Sequence, residues 1–394
     1  MTDRTCLVIS GGTVVTPHQV LADHSLVLEA GKVAGILPGL ASQRDDAQRI
    51  DATGLWVVPG LIDLHVHGSL GHDVMDATPK ALQGMAKFFA YHGVTSYLAT
   101  TLAAPRDAIQ AALANAARAP RSSEGAQHLG VHLEGPYLNP KHAGAQPSTY
   151  VREPDRQEFE AWLKIGGVRL ITLAPELPGA IEMIDRGVAK GIEFAVGHSG
   201  ASYEQVIEAA DHGLRQSTHT FNGMLGLRHR TPGTVGAILT DDRIYAQAIA
   251  DGIHLHPAVF KLLARVKGPG RTILITDAIR ATGLADGEFD LGGQTISVRQ
   301  GIARTASGSL AGSTLTLEVG LRNAMQFAGL ALPQALPMVT STPAEAMGLQ
   351  GQKSSLALGA DADVVLLDSD LEVRLTIIGG RVVHVADERL VRPR

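Results

Sequence analysis

Residues 55–68 read LWVVPGLIDLHVHG, an apolar run that ends in Gly68 and carries two histidines close to its end. An apolar run without polar alternation is typical of a strand that is buried on both faces, as in a parallel sheet covered by helices. Similar runs recur along the chain, and longer Ala-rich stretches separate them. The stretch therefore predicts the first strand of an α/β domain.

Eight such runs predict eight strands. They cover residues 61–64, 95–99, 129–133, 170–173, 194–196, 216–218, 245–249 and 272–275. The intervening residues 79–92 and 106–119 consist mostly of good helix formers or carry their apolar residues on one face. Eight strands that alternate with helices favour a closed (β/α)8 barrel, and a doubly wound parallel sheet is the alternative.

The two ends of the chain have a different texture, with short alternating runs and Gly-rich turns typical of antiparallel strands. Because chain termini usually lie near each other, both ends are expected to build one small β-sandwich domain. The predicted division is residues 1–56 and 351–394 for the sandwich and residues 57–350 for the barrel, which would be the catalytic domain.

Composition narrows the classes of partner. The chain has 394 residues, 45% of them hydrophobic, and a formal net charge of −5, so it lacks the basic surface that nucleic acid requires. No window approaches the roughly 20 apolar residues of a membrane-spanning helix. A single cysteine and the absence of a signal-peptide pattern predict a cytoplasmic protein whose partner is a small molecule.

Five positions that can carry chemistry coincide with the ends of predicted strands. The catalytic groups of a (β/α)8 barrel lie at the carboxyl ends of its strands, so these side chains should converge despite their separation in sequence. The five are the pair His65 and His67, then Glu134, His198, His219 and Asp277.

This set of side chains predicts a catalytic metal centre. His65 and His67 are two residues apart and point to the same face of a strand. Nitrogen and oxygen ligands without a thiolate suit one or two divalent ions, with zinc as the first expectation and iron or manganese as alternatives. Such ions activate water for hydrolysis, and Asp277 is the candidate general base. Two alternatives stay open, namely His132 in place of Glu134 and Asp277 as a helix N-cap.

The motifs PGLIDLHVHG, HLEGPYLNP, VGHS, THTFNGM, ADGIHL, LITDA and LAGSTLT occur in this order. In this respect the chain resembles the N-acetylglucosamine-6-phosphate deacetylases of the amidohydrolase superfamily. The resemblance implies a (β/α)8 barrel with a β-sandwich, a divalent metal on Glu134, His198 and His219, Asp277 as catalytic acid and base, and a homodimer. Because His65 and His67 are retained, the centre has room for one ion or two, and with two ions Glu134 would bridge them.

The resemblance also implies a substrate pocket. Its members here would be Ala145, Gln146, Asn222, Gly223, Arg230, His254, Leu310, Ala311 and Gly312, with Arg230 and His254 on the phosphate. One position departs from the family pattern, because Gln146 stands where the family has a histidine that helps to polarise the acetyl carbonyl. A glutamine amide can still donate a hydrogen bond, but it carries no charge.

The expected reaction is therefore metal-dependent removal of acetate from N-acetyl-D-glucosamine 6-phosphate, which leaves D-glucosamine 6-phosphate. Alternatives are deacetylation of another N-acyl amino sugar or its phosphate, and a non-catalytic barrel scaffold. An amidohydrolase for cyclic amides or N-acyl amino acids is disfavoured, because such relatives carry a lysine at the end of the fourth strand. That strand here reads LITLAPE.

Overall fold

A ring of eight parallel strands forms the centre of the computed structural model, which describes residues 6–17, 19–39, 47–119 and 124–392. The first strands of the chain are β1 (Cys6–Ser10), β2 (Thr13–Val15), β3 (Val20–Leu21), β4 (His24–Glu29), β5 (Lys32–Pro38), β6 (Gln48–Asp51) and β7 (Trp56–Pro59). The next are β8 (Leu61–Val66), β9 (Gly68–Ser69), β10 (His72–Asp73), β11 (Val94–Thr101), β12 (Gln127–Glu134), β13 (Val168–Leu173), β14 (Glu193–Val196), β15 (Gln216–Ser217), β16 (Tyr245–Ala248) and β17 (Thr272–Leu274). The last are β18 (Gly287–Leu291), β19 (Gln294–Arg299), β20 (Ile302–Thr305), β21 (Val364–Leu367), β22 (Val373–Ile378), β23 (Arg381–Val385) and β24 (Val391–Arg392).

The helices fall between Pro79 and Ala346. They are α1 (Pro79–Tyr91), α2 (Arg106–Arg118), α3 (Arg156–Ile165), α4 (Ala180–Val188), α5 (Tyr203–Asp211), α6 (Gly233–Thr240), α7 (Pro257–Lys267), α8 (Leu317–Ala328), α9 (Leu332–Ala335) and α10 (Ser341–Ala346). Short 3-10 helices cover Val74–Asp76, Pro140–His142, Leu336–Val339 and Glu388–Leu390.

The central sheet has the strand order β8, β11, β12, β13, β14, β15, β16, β17, and one helix from α1 to α8 follows each strand in turn. Each of the eight predicted runs falls on one of these strands, so the (β/α)8 prediction is confirmed. Contacts just beyond β17 close the ring against β8, where the Asp277 N–H donates to the oxygen of His65 over 2.9 Å and Val66 pairs with Ala278.

The helices pack on the ring through apolar faces, as α1 illustrates. Its N-cap Thr78 accepts a hydrogen bond from the Ala81 N–H, and Pro79 occupies the first turn, where its missing N–H costs nothing. Leu82, Met85 and Phe89 then recur at helical spacing and are buried against the barrel. The carboxyl ends of the strands are left as the free rim of the ring.

Two further sheets combine strands from both ends of the chain, as predicted. One has the order β24, β6, β1, β4, β5, and the other has the order β23, β22, β21, β7, β2, β3. The apolar faces of the two sheets share one buried cluster that includes Leu26, Val57 and Leu375. The exact domain boundaries at residues 56/57 and 350/351 stay a prediction.

A small antiparallel sheet of β18, β19 and β20 lies between β17 and α8, and it was not predicted. Its buried face includes Leu291, Ile296 and Val298, which pack on Leu102 and Ile279 at the rim of the barrel. The insertion therefore covers part of the end of the barrel where the candidate site residues lie. Among the described residues, no helix combines the length and apolarity needed to cross a membrane.

Candidate metal centre and active site

The five predicted strand ends bring their side chains to one place. His65 lies within β8 and His67 directly after it, while Glu134 is the last residue of β12. His198 and His219 each come two residues after β14 and β15, and Asp277 comes three residues after β17. All six side chains are buried or nearly so. Parallel strands in a ring share one rim, and this is why residues so distant in sequence meet.

The carboxylate of Glu134 lies between two pairs of imidazoles. Its Oε1 is 3.1 Å from His198 Nε2 and 3.0 Å from His219 Nε2. Its Oε2 faces the other pair, at 3.5 Å from His65 Nε2 and 3.2 Å from His67 Nε2. The arrangement forms two ligand clusters, His65–His67–Glu134 and Glu134–His198–His219, with the carboxylate common to both.

The spacing of these atoms fits metal ligation. His65 Nε2 and His67 Nε2 are 3.1 Å apart, and His198 Nε2 and His219 Nε2 are 3.2 Å apart. Ligand atoms about 2.0–2.2 Å from one ion are separated by roughly 3.0–3.5 Å, so these pairs have the spacing of neighbouring ligands. Two neutral imidazole nitrogens that face one another can share at most one hydrogen bond, whereas both can bind one cation.

Asp277 joins the first cluster from the segment after β17, the strand that closes the ring next to β8. Its Oδ1 is 3.3 Å from His65 Nε2 and 3.2 Å from His67 Nε2. No helix follows it, so the alternative interpretation of Asp277 as a helix N-cap is wrong. The carboxylate is placed beside both the ligand clusters and the cavity described below.

Three of these residues adopt backbone conformations that most residues avoid. The φ angles are 49° at His198, 31° at His219 and 52° at Asp277. A left-handed conformation costs a non-glycine residue of the order of 1 kcal/mol, and it persists only where the surroundings hold it. The chain turns at each strand end in a way that aims the side chain at the common centre.

Burial and opposite charge compete in setting the pKa values of the cluster. Burial raises the pKa of Glu134, but the imidazole of His65 and the hydrogen bonds from His198 and His219 outweigh it and hold the pKa well below its usual range. Burial lowers the pKa of His67, yet hydrogen bonds to Asp277 and Glu134 raise it to about 10. In the metal-free protein His67 therefore keeps a proton next to the ionised carboxylate of Glu134, and binding a cation there releases that proton.

A cavity of about 300 Å³ opens directly above the cluster. Its wall brings together most of the predicted site residues, and the inserted sheet adds Leu291. The predicted residues in the wall are His67, Glu134, Ala145, Gln146, His198, His219, Asn222, Gly223, His254, Asp277, Leu310 and Gly312. This volume is at the lower end of the range for small-molecule sites.

Three predicted residues are not part of this wall. His65 is fully buried below it in the first ligand cluster, and Ala311 is buried between Leu310 and Gly312 against the inserted sheet. Arg230 lies on the exposed segment before α6 and does not contribute to the cavity of its own chain. The structure therefore leaves His254 as the only predicted phosphate residue inside the described cavity.

Gln146 has a fixed orientation at the edge of the cluster. Its Oε1 accepts a hydrogen bond from the Ala103 N–H over 2.8 Å, and its Nε2 donates to Glu134 Oε2 over 2.6 Å. Because the backbone N–H can only donate, the amide oxygen must face Ala103, and the NH₂ group must face the carboxylate of Glu134. The second N–H of this group is free to donate to a molecule in the cavity.

Asp251 holds His254 in place. Its Oδ2 lies 2.7 Å from His254 Nδ1, and its Oδ1 accepts hydrogen bonds from the backbone N–H groups of Ile253 and His254. The carboxylate accepts a hydrogen bond from Nδ1–H, so the proton of a neutral ring lies on Nδ1 and Nε2 is an acceptor. In a doubly protonated ring, Nε2 is also a donor. Sequence reasoning named His254 but missed Asp251, although both belong to the ADGIHL motif.

A layer of hydrogen-bonded polar side chains lies below the ligands. His132 contacts Thr172 Oγ1 through Nε2 over 2.7 Å, and its ring packs edge-on against His65. It is therefore a neighbour of the two ligand clusters, whereas Glu134 is a member of both. Asp63 accepts a hydrogen bond from Thr276 Oγ1 over 2.6 Å and so connects β8 with the segment after β17.

Comparisons with known proteins agree with this geometry. The model of the amidohydrolase family matches residues 56–383. The N-acetylglucosamine-6-phosphate deacetylase of Vibrio furnissii is 45% identical over 84% of this chain and 83% of the relative. The N-acetylgalactosamine-6-phosphate deacetylase of Escherichia coli O157:H7 is 39% identical over 95% of this chain and 98% of the relative.

A solved structure extends the similarity to the fold. It is a mutant of the Mycobacterium smegmatis N-acetyl-D-glucosamine-6-phosphate deacetylase in complex with N-acetyl-D-glucosamine-6-phosphate. The two structures superpose with a TM-score of 0.90 at 34% sequence identity, and the match covers 96% of this chain and 99% of the Mycobacterium smegmatis chain.

Proposed function

Because the chain belongs to the N-acetylglucosamine-6-phosphate deacetylase family of amidohydrolases, we propose that it hydrolyses the acetamido group of N-acetyl-D-glucosamine 6-phosphate. The products are acetate and D-glucosamine 6-phosphate. The observation that carries the proposal is the position of the Glu134 carboxylate, each oxygen of which faces one pair of histidines. The cavity above it is lined by Asp277, Gln146 and His254. We further propose that the protein works in the cytoplasm.

The ligand clusters are proposed to hold divalent metal, with Glu134, His198 and His219 as one site and His65, His67 and Glu134 as a second. Zinc is the first candidate, and iron and manganese suit the same nitrogen and oxygen atoms. When bound, such an ion polarises the acetyl carbonyl and lowers the pKa of water. Glu134 can serve both sites, because its two oxygens face different histidine pairs.

Asp277 performs the proton transfers. Its carboxylate accepts a proton from the attacking water as the oxygen of that water bonds to the acetyl carbon. It then gives this proton to the sugar nitrogen as the carbon–nitrogen bond breaks, which is required because an amide anion is a very poor leaving group. Burial raises the pKa of Asp277, but the imidazoles of His65 and His67 lower it below the usual range, so the residue begins as a base.

Gln146 and His254 orient the two ends of the substrate. The free N–H of the Gln146 amide donates to the acetyl oxygen and keeps its charge state at any pH, because an amide does not titrate. His254, held by Asp251, binds the phosphate at the other end of the cavity. The backbone at Asn222 and Gly223 lines the sugar between them, and so do Leu310 and Gly312.

The phosphate site is proposed to be completed by a second copy of the chain. A guanidinium group binds phosphate through two N–H donors at once, and Arg230 is exposed outside the cavity of its own chain. In a homodimer, Arg230 of one protomer would reach the phosphate in its partner. Exposed Leu225 and Leu227 on the same segment would supply apolar contacts.

The test is an acetate-release assay on metal-loaded protein. The substrates compared are N-acetylglucosamine, N-acetylgalactosamine and N-acetylmannosamine, each with and without a 6-phosphate. The 6-phosphate of N-acetylglucosamine should be deacetylated with the highest kcat/KM and its unphosphorylated form poorly. Equal rates on the two forms would contradict the proposed role of the phosphate.

Asp277→Asn tests the proposed proton transfers. The amide is nearly the same size and keeps the oxygen that faces the histidines, so the variant should bind metal and fold while turnover falls by about 10²–10⁴. Substantial residual turnover would refute the assignment of Asp277.

N-acetylgalactosamine 6-phosphate is the second candidate substrate. Two observations favour its inclusion. One is the glutamine at position 146, and the other is the similarity to the N-acetylgalactosamine-6-phosphate deacetylase of Escherichia coli O157:H7, 98% of whose length the match covers. A higher kcat/KM for this epimer in the same assay would replace the first proposal.

A further inference from the structure

Glu176 lies three residues beyond the end of β13, at the same rim of the barrel as the ligand clusters. Its carboxylate accepts hydrogen bonds from three donors. Asn139 Nδ2 donates to Oε1 over 2.9 Å, the Gly200 N–H donates to Oε1 over 2.6 Å, and Ser199 Oγ donates to Oε2 over 2.7 Å. The carboxylate does not line the cavity, so its contacts have no direct role with a substrate.

The three donors belong to two loops that carry metal ligands. Ser199 and Gly200 directly follow His198, and Asn139 is in the segment that follows Glu134 at the end of β12. The Asn139 N–H also donates to the carbonyl oxygen of His198 over 2.9 Å. Glu176 therefore connects the ends of the third, fourth and fifth strands of the barrel around His198.

His198 is a residue that needs such support. Its φ of 49° is in the left-handed region, which is uncommon for a residue other than glycine. Its ring is held on one side by the hydrogen bond between Nδ1 and the oxygen of His142 over 2.9 Å. Without anchored neighbours, the segment 198–200 could relax to a common backbone conformation and turn Nε2 away from Glu134.

We propose that Glu176 is a positioning residue for the Glu134–His198–His219 half of the metal centre, an inference that rests on the proposed presence of metal there. Hydrogen-bonding partners behind metal ligands typically change metal affinity by 10–100-fold. Glu176 would act through the backbone that follows the ligand, while the Nδ1 contact acts through its ring.

The experiment titrates metal-free protein with Co²⁺ and follows the absorption of the bound ion, and Zn²⁺ competition then gives the affinity for zinc. Glu176→Ala should weaken one class of site by about 10–100-fold and leave the other close to wild type. Glu176→Gln should keep most of the affinity, because its oxygen can accept from Asn139 and Gly200 while Ser199 Oγ accepts from its NH₂ group.

The matched control is Asp368→Ala. That carboxylate also anchors a loop, by accepting the Asp370 and Glu372 N–H groups at 3.0 and 2.9 Å, but it lies in the terminal sheets. The control should lower the thermal stability of the metal-free protein without changing metal affinity. If Glu176→Ala does not fold, Ser199→Ala, which removes one of the three donors, should show a smaller loss in the same class of site.

Unchanged affinity in Glu176→Ala, or in Ser199→Ala when the first variant is unfolded, overturns the proposal. An equal loss of affinity in Asp368→Ala also overturns it, because the effect would then be global. The titration contains no sugar, so a wild-type protein that binds metal but releases no acetate would refute the proposed reaction and leave the result for Glu176 interpretable.

Discussion

Replacing Gly223 with alanine tests the geometry around His198 most directly. Gly223 has a φ of 61°, and a methyl group there would lie 3.0 Å from His198 Nδ1 and 3.1 Å from the oxygen of His142. Those two atoms form the 2.9 Å hydrogen bond that orients the His198 ring. The methyl group must therefore displace these neighbours by a few tenths of an ångström, and we expect this to lengthen the hydrogen bond that orients His198.

Two costs add up in Gly223→Ala. The left-handed backbone costs an alanine about 1 kcal/mol. Opening the hydrogen bond removes about another 1 kcal/mol of stability, and the loss of ring orientation should weaken metal binding by about 10–100-fold. Gly191→Ala isolates the first cost, because Gly191 has a φ of 76° and no atom within 4 Å of the added methyl group.

Thermal unfolding of the metal-free proteins and Co²⁺ titration supply the measurements. Both variants should unfold at lower temperature, and only Gly223→Ala should lose metal affinity. Equal metal affinity in the two variants would refute the argument that the His142 contact orients the ligand.

Three further predictions concern single residues. Burial raises the pKa of Asp63 from its usual 3.8 to about 6, so between these pH values the folded metal-free protein keeps a proton that the unfolded chain releases. The free energy of unfolding should therefore fall by about 3 kcal/mol as the pH rises from below 3.8 to above 6. Asp63→Asn should abolish this loss in urea unfolding at pH 4 and pH 7, and an unchanged pH dependence would contradict it. Gln146→Leu leaves the Ala103 N–H and a Glu134 oxygen without their partner, so kcat/KM should fall by about 10-fold or more, and wild-type kinetics would exclude a role for the amide. Arg230→Ala should lower kcat/KM about 10–100-fold for the 6-phosphate and little for the unphosphorylated sugar, whereas equal losses would point to a structural role.

The sequence was sufficient to predict that these side chains converge, because their positions depend on topology alone. Once His65, Glu134 and His198 are placed at the ends of parallel strands in a ring, their convergence follows without knowledge of any side-chain contact. Glu134 differs from His132 in its position along β12, because Glu134 is the last residue of the strand and His132 lies two residues earlier. The Gly-Pro that follows Glu134 marks this end of the strand in the sequence.

Other features depend on loop conformation, which hydrophobic periodicity does not encode. The orientation of Gln146 is set by a backbone N–H of another loop, at Ala103, and the anchoring by Glu176 depends on three contacts from two loops. The inserted sheet is different, because GEFDLGGQTISVRQGIART shows alternating residues and Gly-containing turns that indicate a β-meander. The sequence therefore does carry a signal for this sheet.

The sheets shared by the two termini have a consequence for biosynthesis. Trp56–Pro59 enter the sheet beside Val364–Leu367, a partner that the ribosome makes about 300 residues later. During translation, the edge of β7 that β21 will cover is therefore an unpaired, apolar template for pairing with other chains. We expect the nascent protein to depend on chaperones until its last strands emerge, and truncation within Val364–Ile378 to yield aggregates rather than an isolated, working barrel.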